Sequence, residues 1–112
     1  MEGFEMKGIV IVNMHLVTFT DGHRIDRSSV LGNPFVMNKD ADQKVERTRV
    51  CDLYHRWLWD RMKEKGKEYQ YLNELVDEYV STQSLILRCW CAPLRCHGES
   101  IKAAVLWMAS NR

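Results

Sequence analysis

Apolar positions follow two different periods along this chain, and the switches between them mark out its elements. Gly8 to Asn13 holds the β-branched run Ile9-Val10-Ile11-Val12, the pattern of a buried strand. A weaker alternation from His15 to Thr20 predicts a second strand, with Asp21-Gly22 supplying turn chemistry after it. Residues 23 to 40 are too polar and too rich in Gly, Asn and Pro for a regular element and predict a long loop. Val30, Leu31, Phe35, Val36 and Met37 within it predict that the loop packs down on the core. From Asp42 to Lys65 the period changes to three and four, through Val45, Val50, Leu53, Tyr54, Trp57, Leu58 and Met62. That spacing predicts an amphipathic helix capped by Asp40 or Asp42 and ended by Gly66. Glu68 to Val80 repeats the pattern with Tyr69, Leu72, Leu75, Val76 and Tyr79, so a second helix follows after a tight turn and the two form a helical crossover.

Ser84 to Cys91 is the second firm strand, with Leu85-Ile86-Leu87 apolar on both faces as in a covered parallel sheet. Alternation puts Leu85, Leu87, Cys89 and Cys91 on one face and Ile86, Arg88 and Trp90 on the other, and Pro93 ends the strand. Glu99 to Ser110 predicts a third helix with Ile101, Ala104, Val105 and Met108 turned inward. The order of elements predicts the α/β class: a small, mostly parallel sheet with three helices, in a single Rossmann-like layered domain over residues 1–112. A chain of this length buries about two-thirds of the surface that its unfolded form exposes.

Composition narrows the partners. With 46% hydrophobic and 28% charged residues the chain reads as an ordinary globular protein. Sixteen basic and fifteen acidic side chains leave a net charge of +1, so no general attraction to nucleic acid is expected. The basic residues between Lys44 and Lys67 alternate with Glu46, Asp52, Asp60 and Glu64, as on a solvated helix face. The run Ile9 to Val12 is far shorter than the ~20 apolar residues of a membrane helix. It also lacks the basic lead-in and cleavage site of a signal peptide. A cytoplasmic protein with reduced thiols and no membrane partner is therefore expected.

Chemistry concentrates between the last strand and the last helix. Cys89, Cys91, Cys96 and His97 bring three of the four cysteines and one of the four histidines into nine residues. Two readings follow. In the first, Cys96, His97 and Gly98 open a helix whose amides and macrodipole hold an anion, with Gly98 allowing close approach and Arg95 adding positive charge. Cys96 and His97 are then the candidates for nucleophile and acid or base. In the second, Cys89, Cys91, Cys96 and His97 hold zinc, although their spacing is not the paired C-x-x-C of structural zinc sites. A second group of phosphate-binding donors lies in Arg27-Ser28-Ser29-Val30-Leu31-Gly32-Asn33-Pro34-Phe35: a guanidinium fork, two hydroxyls and a Gly-centred turn. Other candidates are weaker. His55 stands four residues after Cys51 on a helix, His23 and Asp26 adjoin Arg27, and Trp90 adjoins the cysteine turn.

Three stretches together resemble a known family. Arg27, Ser29, Leu31, Gly32, Asn33, Pro34 and Phe35 fit R-x-S-x-L-G-N-P-F. Arg47, Tyr54, Trp57 and Leu58 fit R-x-x-x-x-x-x-Y-x-x-W-L, and Cys89, Cys91, Pro93, Cys96, His97 and Gly98 fit C-x-C-x-P-x-x-C-H-G. This pattern is similar to that of the domain of unknown function numbered four-three-two-six, found in small phage and bacterial proteins. The resemblance covers nearly the whole chain and implies a phage or bacterial source and a compact α/β fold, with no activity attached.

The leading expectation is a protein that binds, and can process, a nucleotide or other phosphorylated small molecule between the Arg27–Phe35 loop and the start of the third helix. Arg27, Ser29 and Asn33 hold oxygen atoms in this reading, Gly32 and Gly98 expose amides, and Cys96 with His97 carries the chemistry. The alternative is a phage-encoded interaction protein acting on a host protein, with the cysteine turn structural or stapled by zinc.

Overall fold

A computed structural model describes residues 8–15, 22–90 and 94–112. Among the described residues three strands form one parallel sheet: β1 (Gly8–Asn13), β2 (His23–Arg24) and β3 (Ser84–Cys89). Their spatial order is β1-β3-β2, with Ile9 opposite Leu85, Ile11 opposite Leu87 and His23 also opposite Leu87. Parallel neighbours need a long connection. Between β2 and β3 it is supplied by α1 (Gln43–Glu64) and α2 (Lys67–Thr82), and α3 (Gly98–Ser110) completes the α/β fold.

Asp42 caps α1 by accepting from the amides of Lys44 and Val45 at 2.9 and 3.0 Å. The residue that stops α1 is Lys65 and not Gly66. Lys65 takes the left-handed conformation at φ 55°, while Gly66 is extended and serves as the N-cap of α2. Two helices joined this tightly leave one residue for each job, and the glycine falls to the second helix. Val45, expected inside, is 64% exposed because it sits in the first turn of α1, beyond the reach of the core.

Leu85, Leu87 and Cys89 on β3 are buried beside Ile9 of β1, whereas Ile86 and Arg88 on the opposite face are only partly covered. The core lies against the first of these faces, where Leu72, Leu75 and Val76 of α2 meet Ile101, Ala104 and Val105 of α3 and Tyr54 and Leu58 of α1. Cutting a side chain such as Leu87 to alanine in this layer costs about 2–5 kcal/mol.

The expected strand at His15–Thr20 falls largely outside the described residues, and His15 itself lies in the turn after β1. A strand occurs at His23–Arg24, where a loop was expected. It is too short and too polar to show an alternation, because an edge strand of two residues needs only backbone pairing. Ile25 extends that pairing, donating its amide to the Arg88 carbonyl at 2.9 Å, and its side chain is completely buried. Gly22, which precedes it, has φ 102°, and a Cβ there would lie 2.7 Å from the Ile86 side chain, so only glycine fits. Asp21 lies outside the described residues, as do Cys91 and Pro93 beyond the end of β3.

The loop after β2 packs down through fewer residues than expected. Leu31 is fully buried and Phe35 and Met37 are partly covered, but Val36 is 63% exposed and Val30 also faces solvent. Polar bonds do the rest of the anchoring. The Tyr54 hydroxyl donates to the Leu31 carbonyl at 2.7 Å, Asn33 Nδ2 to the Val50 carbonyl at 3.3 Å, and Arg49 to the Val36 carbonyl at 3.1 Å. Glu46 accepts from the Asn38 amide at 2.6 Å and fixes the loop's end to α1.

Candidate functional site

Because the loop is tied to α1 on one side and to β3 on the other, a cleft of about 320 Å³ remains where loop, helix and strand end meet. Asp26, Arg27, Ser28, Asn33, Phe35 and Met37 line it from the loop. Arg47, Val50 and Cys51 line it from α1, Cys89 and Trp90 from the end of β3, and Arg95, Cys96 and His97 from the approach to α3. Its volume lies at the lower end of the ~300–1,000 Å³ of small-molecule sites.

Asp26 organises the loop side. Its Oδ2 accepts from Arg24 at 2.5 Å and from the Trp90 indole N–H at 2.8 Å, and its Oδ1 accepts from the hydroxyl and amide of Ser28. Partial burial works to raise its pKa. The bonds from Arg24, Ser28 and Trp90 outweigh it and hold the carboxyl well below the usual carboxylate range. Trp90, 44% exposed, is set by that bond, by the His15 ring at 4.6 Å and by the Arg24 guanidinium 5.9 Å from its ring centre. His23 does not join Asp26: it pairs with Glu78 at 2.8 Å and with the Tyr71 hydroxyl at 3.3 Å. His55 faces Ser100 Oγ at 2.9 Å and stacks on Trp59, so its ring serves the α1–α3 contact.

The residues expected from sequence divide into two groups. Arg27, Asn33, Arg95, Cys96 and His97 line the one cleft, whereas Ser29, Gly32 and Gly98 are not among its lining residues. Ser29 Oγ accepts from the Leu31 amide at 3.0 Å, inside the loop. Gly32 donates its amide to the Ser29 carbonyl, and a Cβ there would stand 2.4 Å from the Asp26 carbonyl oxygen, so its role is backbone approach and not an amide offered to a ligand. Gly98 is buried against Ile25 and Ile11, and its amide points at Cys96 Sγ at 3.4 Å. With the Glu99 and Ser100 amides bonded to the Cys96 and His97 carbonyls, the first turn of α3 has spent its donors internally. The Gly98, Glu99 and Ser100 amides are thus engaged within the chain. The positive groups of the cleft are side chains.

Cys96 and His97 are both buried. Cys96 Sγ lies 3.7 Å from Cys89 Sγ. His97 Nε2 donates to the Ile25 carbonyl, and its ring meets Tyr54 edge-on at 4.9 Å. Burial pushes the imidazole pKa down, so the neutral ring, with Nδ1 as its acceptor, is the resident form. For the zinc set, Cys91 lies outside the described residues. Among the described residues no three His, Cys, Asp or Glu side chains gather as metal ligands.

A model for the family described as Domain of unknown function (DUF4326) matches residues 13–107. The chain belongs to that family. Searches of the curated proteins and of the solved structures give no match. Among the described residues no helix of this DUF4326 chain is long and apolar enough to cross a membrane.

Sequence reasoning missed one DUF4326 side chain in the cleft as a ligand-binding candidate. Arg47 stands three, four and seven residues before Val50, Cys51 and Tyr54, on the buried stripe of α1, and it lines the cleft. An arginine on an apolar stripe was the available signal. It was hidden among the other charges of α1. Among the described residues no acid pairs with Arg47 or Arg27, and the one hydrogen bond of the Arg27 guanidinium is a long one, 3.4 Å, to the Phe35 carbonyl. Arg95, by contrast, is bridged to Asp52 at 2.7 Å.

Proposed function

We propose that this protein binds a nucleotide or a similar phosphorylated small molecule in the cleft, with Arg27 and Arg47 on the phosphate and Phe35 and Trp90 flanking the base. One observation carries the reading. Two guanidinium groups with no acid partner among the described residues line a cleft whose single described carboxylate, Asp26, is already saturated by donors. An anion entering there meets uncompensated positive charge, and arginine matches phosphate geometry with paired donors. Phe35, Met37, Val50 and Trp90 supply the apolar and aromatic walls that a base requires. Any turnover falls to His97 and Cys96, which line the same cleft.

Calorimetric titration of the protein with nucleoside mono-, di- and triphosphates tests this. At least one of them should bind, more weakly as salt rises, and Arg47→Met and Arg27→Met should each weaken binding about tenfold or more, as expected for a charge-assisted hydrogen bond. If none binds the wild-type chain, or both variants bind as tightly as wild type, the reading fails and a protein partner becomes the better account.

A further inference from the structure

Cys89 closes β3 and Cys96 lies just before α3, yet their sulfur atoms stand 3.7 Å apart. Both residues are buried, at 1% and 5% exposure, and both border the cleft, which is the route a small solute would take to them. The Gly98 amide points at Cys96 Sγ, and the positive end of α3 lies beside it, an environment that favours negative charge on this sulfur.

We propose that Cys89 and Cys96 are a modification site: a dithiol that a small hydroperoxide oxidises to a disulfide at the cleft. The Cys96 thiolate attacks the outer peroxide oxygen, the O–O bond breaks, and the departing oxygen leaves as an alcohol (water, from hydrogen peroxide) after taking up a proton. Cys96 is then a sulfenic acid. The Cys89 thiol attacks that sulfur, the S–S bond forms, the S–O bond breaks, and hydroxide leaves as water with the Cys89 proton. Two thiols are oxidised by two electrons, and the peroxide is reduced by the same two. A small dithiol reverses the change by thiol–disulfide exchange. Closing the bond brings the sulfurs to about 2.05 Å, a short movement at the junction of strand and helix. None of this depends on what the cleft binds.

Trypsin separates the two residues, since cleavage after Arg88, Arg95 and Lys102 leaves Cys89 and Cys96 in different peptides. The folded protein is treated with hydrogen peroxide, alkylated, digested and read by mass spectrometry. The 89–95 peptide, alkylated at Cys91, and the 96–102 peptide should appear linked, two hydrogens lighter than their sum, and separate after dithiothreitol. Cys91→Ser should keep the link and Cys89→Ser should lose it. Where a variant does not fold, fragmentation of the wild-type linked peptide between Cys89 and Cys91 assigns the bond. A link from Cys96 to Cys51 or Cys91, or a Cys96 sulfinic acid with no link, overturns the proposal.

Discussion

The Tyr54 hydroxyl donates to the Leu31 carbonyl at 2.7 Å inside a core where both residues are completely buried. Burial first, then the nearby Glu68 and Cys96, push the phenol pKa above its ordinary value, so the group remains a donor at every physiological pH. Tyr54→Phe leaves that carbonyl unsatisfied and should cost about 1–3 kcal/mol, read from urea unfolding with an unchanged slope. A midpoint equal to wild type would show that the bond does not anchor the loop.

His97 should give the protein a pH dependence near neutrality. Its folded pKa lies below the ordinary 6.5, so the unfolded chain takes up a proton first as the pH falls. Stability from this group is therefore complete above about 6.5 and declines as the pH drops from there towards the folded pKa. Denaturant midpoints measured from pH 8 to pH 5 should fall, and His97→Gln should flatten that segment. A variant with the wild-type slope would place the titration elsewhere.

Asp26 and Glu46 should shape the acid limb below that window. Hydrogen bonds from Arg49 and then from the Asn38 amide hold Glu46 down at about 2, and Asp26 is depressed as well. The stability tied to both is present above their ordinary values, 4.5 and 3.8, and is lost as the pH falls through and below them. Asp26→Asn and Glu46→Gln should each lower the midpoint at pH 7 and leave a shallower decline between pH 5 and pH 2. Parallel curves for variant and wild type would contradict this.

Gly32→Ala should damage the loop more than a change at an ordinary turn. The added methyl meets the Asp26–Arg27 peptide, the Asp26 carbonyl oxygen at 2.4 Å and Arg27 Cα at 2.6 Å, and backbone cannot rotate away as a side chain would. The expected loss is about 1–3 kcal/mol, with quenching or shift of Trp90 emission as the loop moves. An alanine variant with wild-type melting and fluorescence would show that the loop tolerates the displacement.

The helices and β3 were legible because each buries one continuous stripe: Leu72, Leu75 and Val76 on α2, Ile101, Ala104, Val105 and Met108 on α3, Leu85 and Leu87 on β3, while β1, where only Ile9 is buried, was legible from its β-branched run. β2 was not, since two polar residues paired only through their backbone carry no period. The cleft was legible as residue types and not as roles. Arg27 and His97 advertise themselves by chemistry, but the uses of Gly32 and Gly98 depend on what packs against them, the Asp26–Arg27 backbone at the first and the Ile11, Ile25 and Cys96 side chains at the second, and nothing local in the sequence records that. Arg47 was read as part of the family pattern but given no ligand role, because its neighbours on α1 are charged too. It stands on the buried stripe of α1, and the loop supplies the facing wall of the cleft that it lines.

The middle strand of the sheet is also the last to be made. β1 and β2 pair with β3 and not with each other, so a ribosome delivers both edges, and then two helices, before their common partner exists. Until Ser84 to Cys89 emerges, the run Ile9-Val10-Ile11-Val12 is an apolar strand with open hydrogen-bonding edges. The nascent chain, more than the finished protein, is the form exposed to aggregation, and synthesis rate or chaperone supply should govern the yield of soluble product.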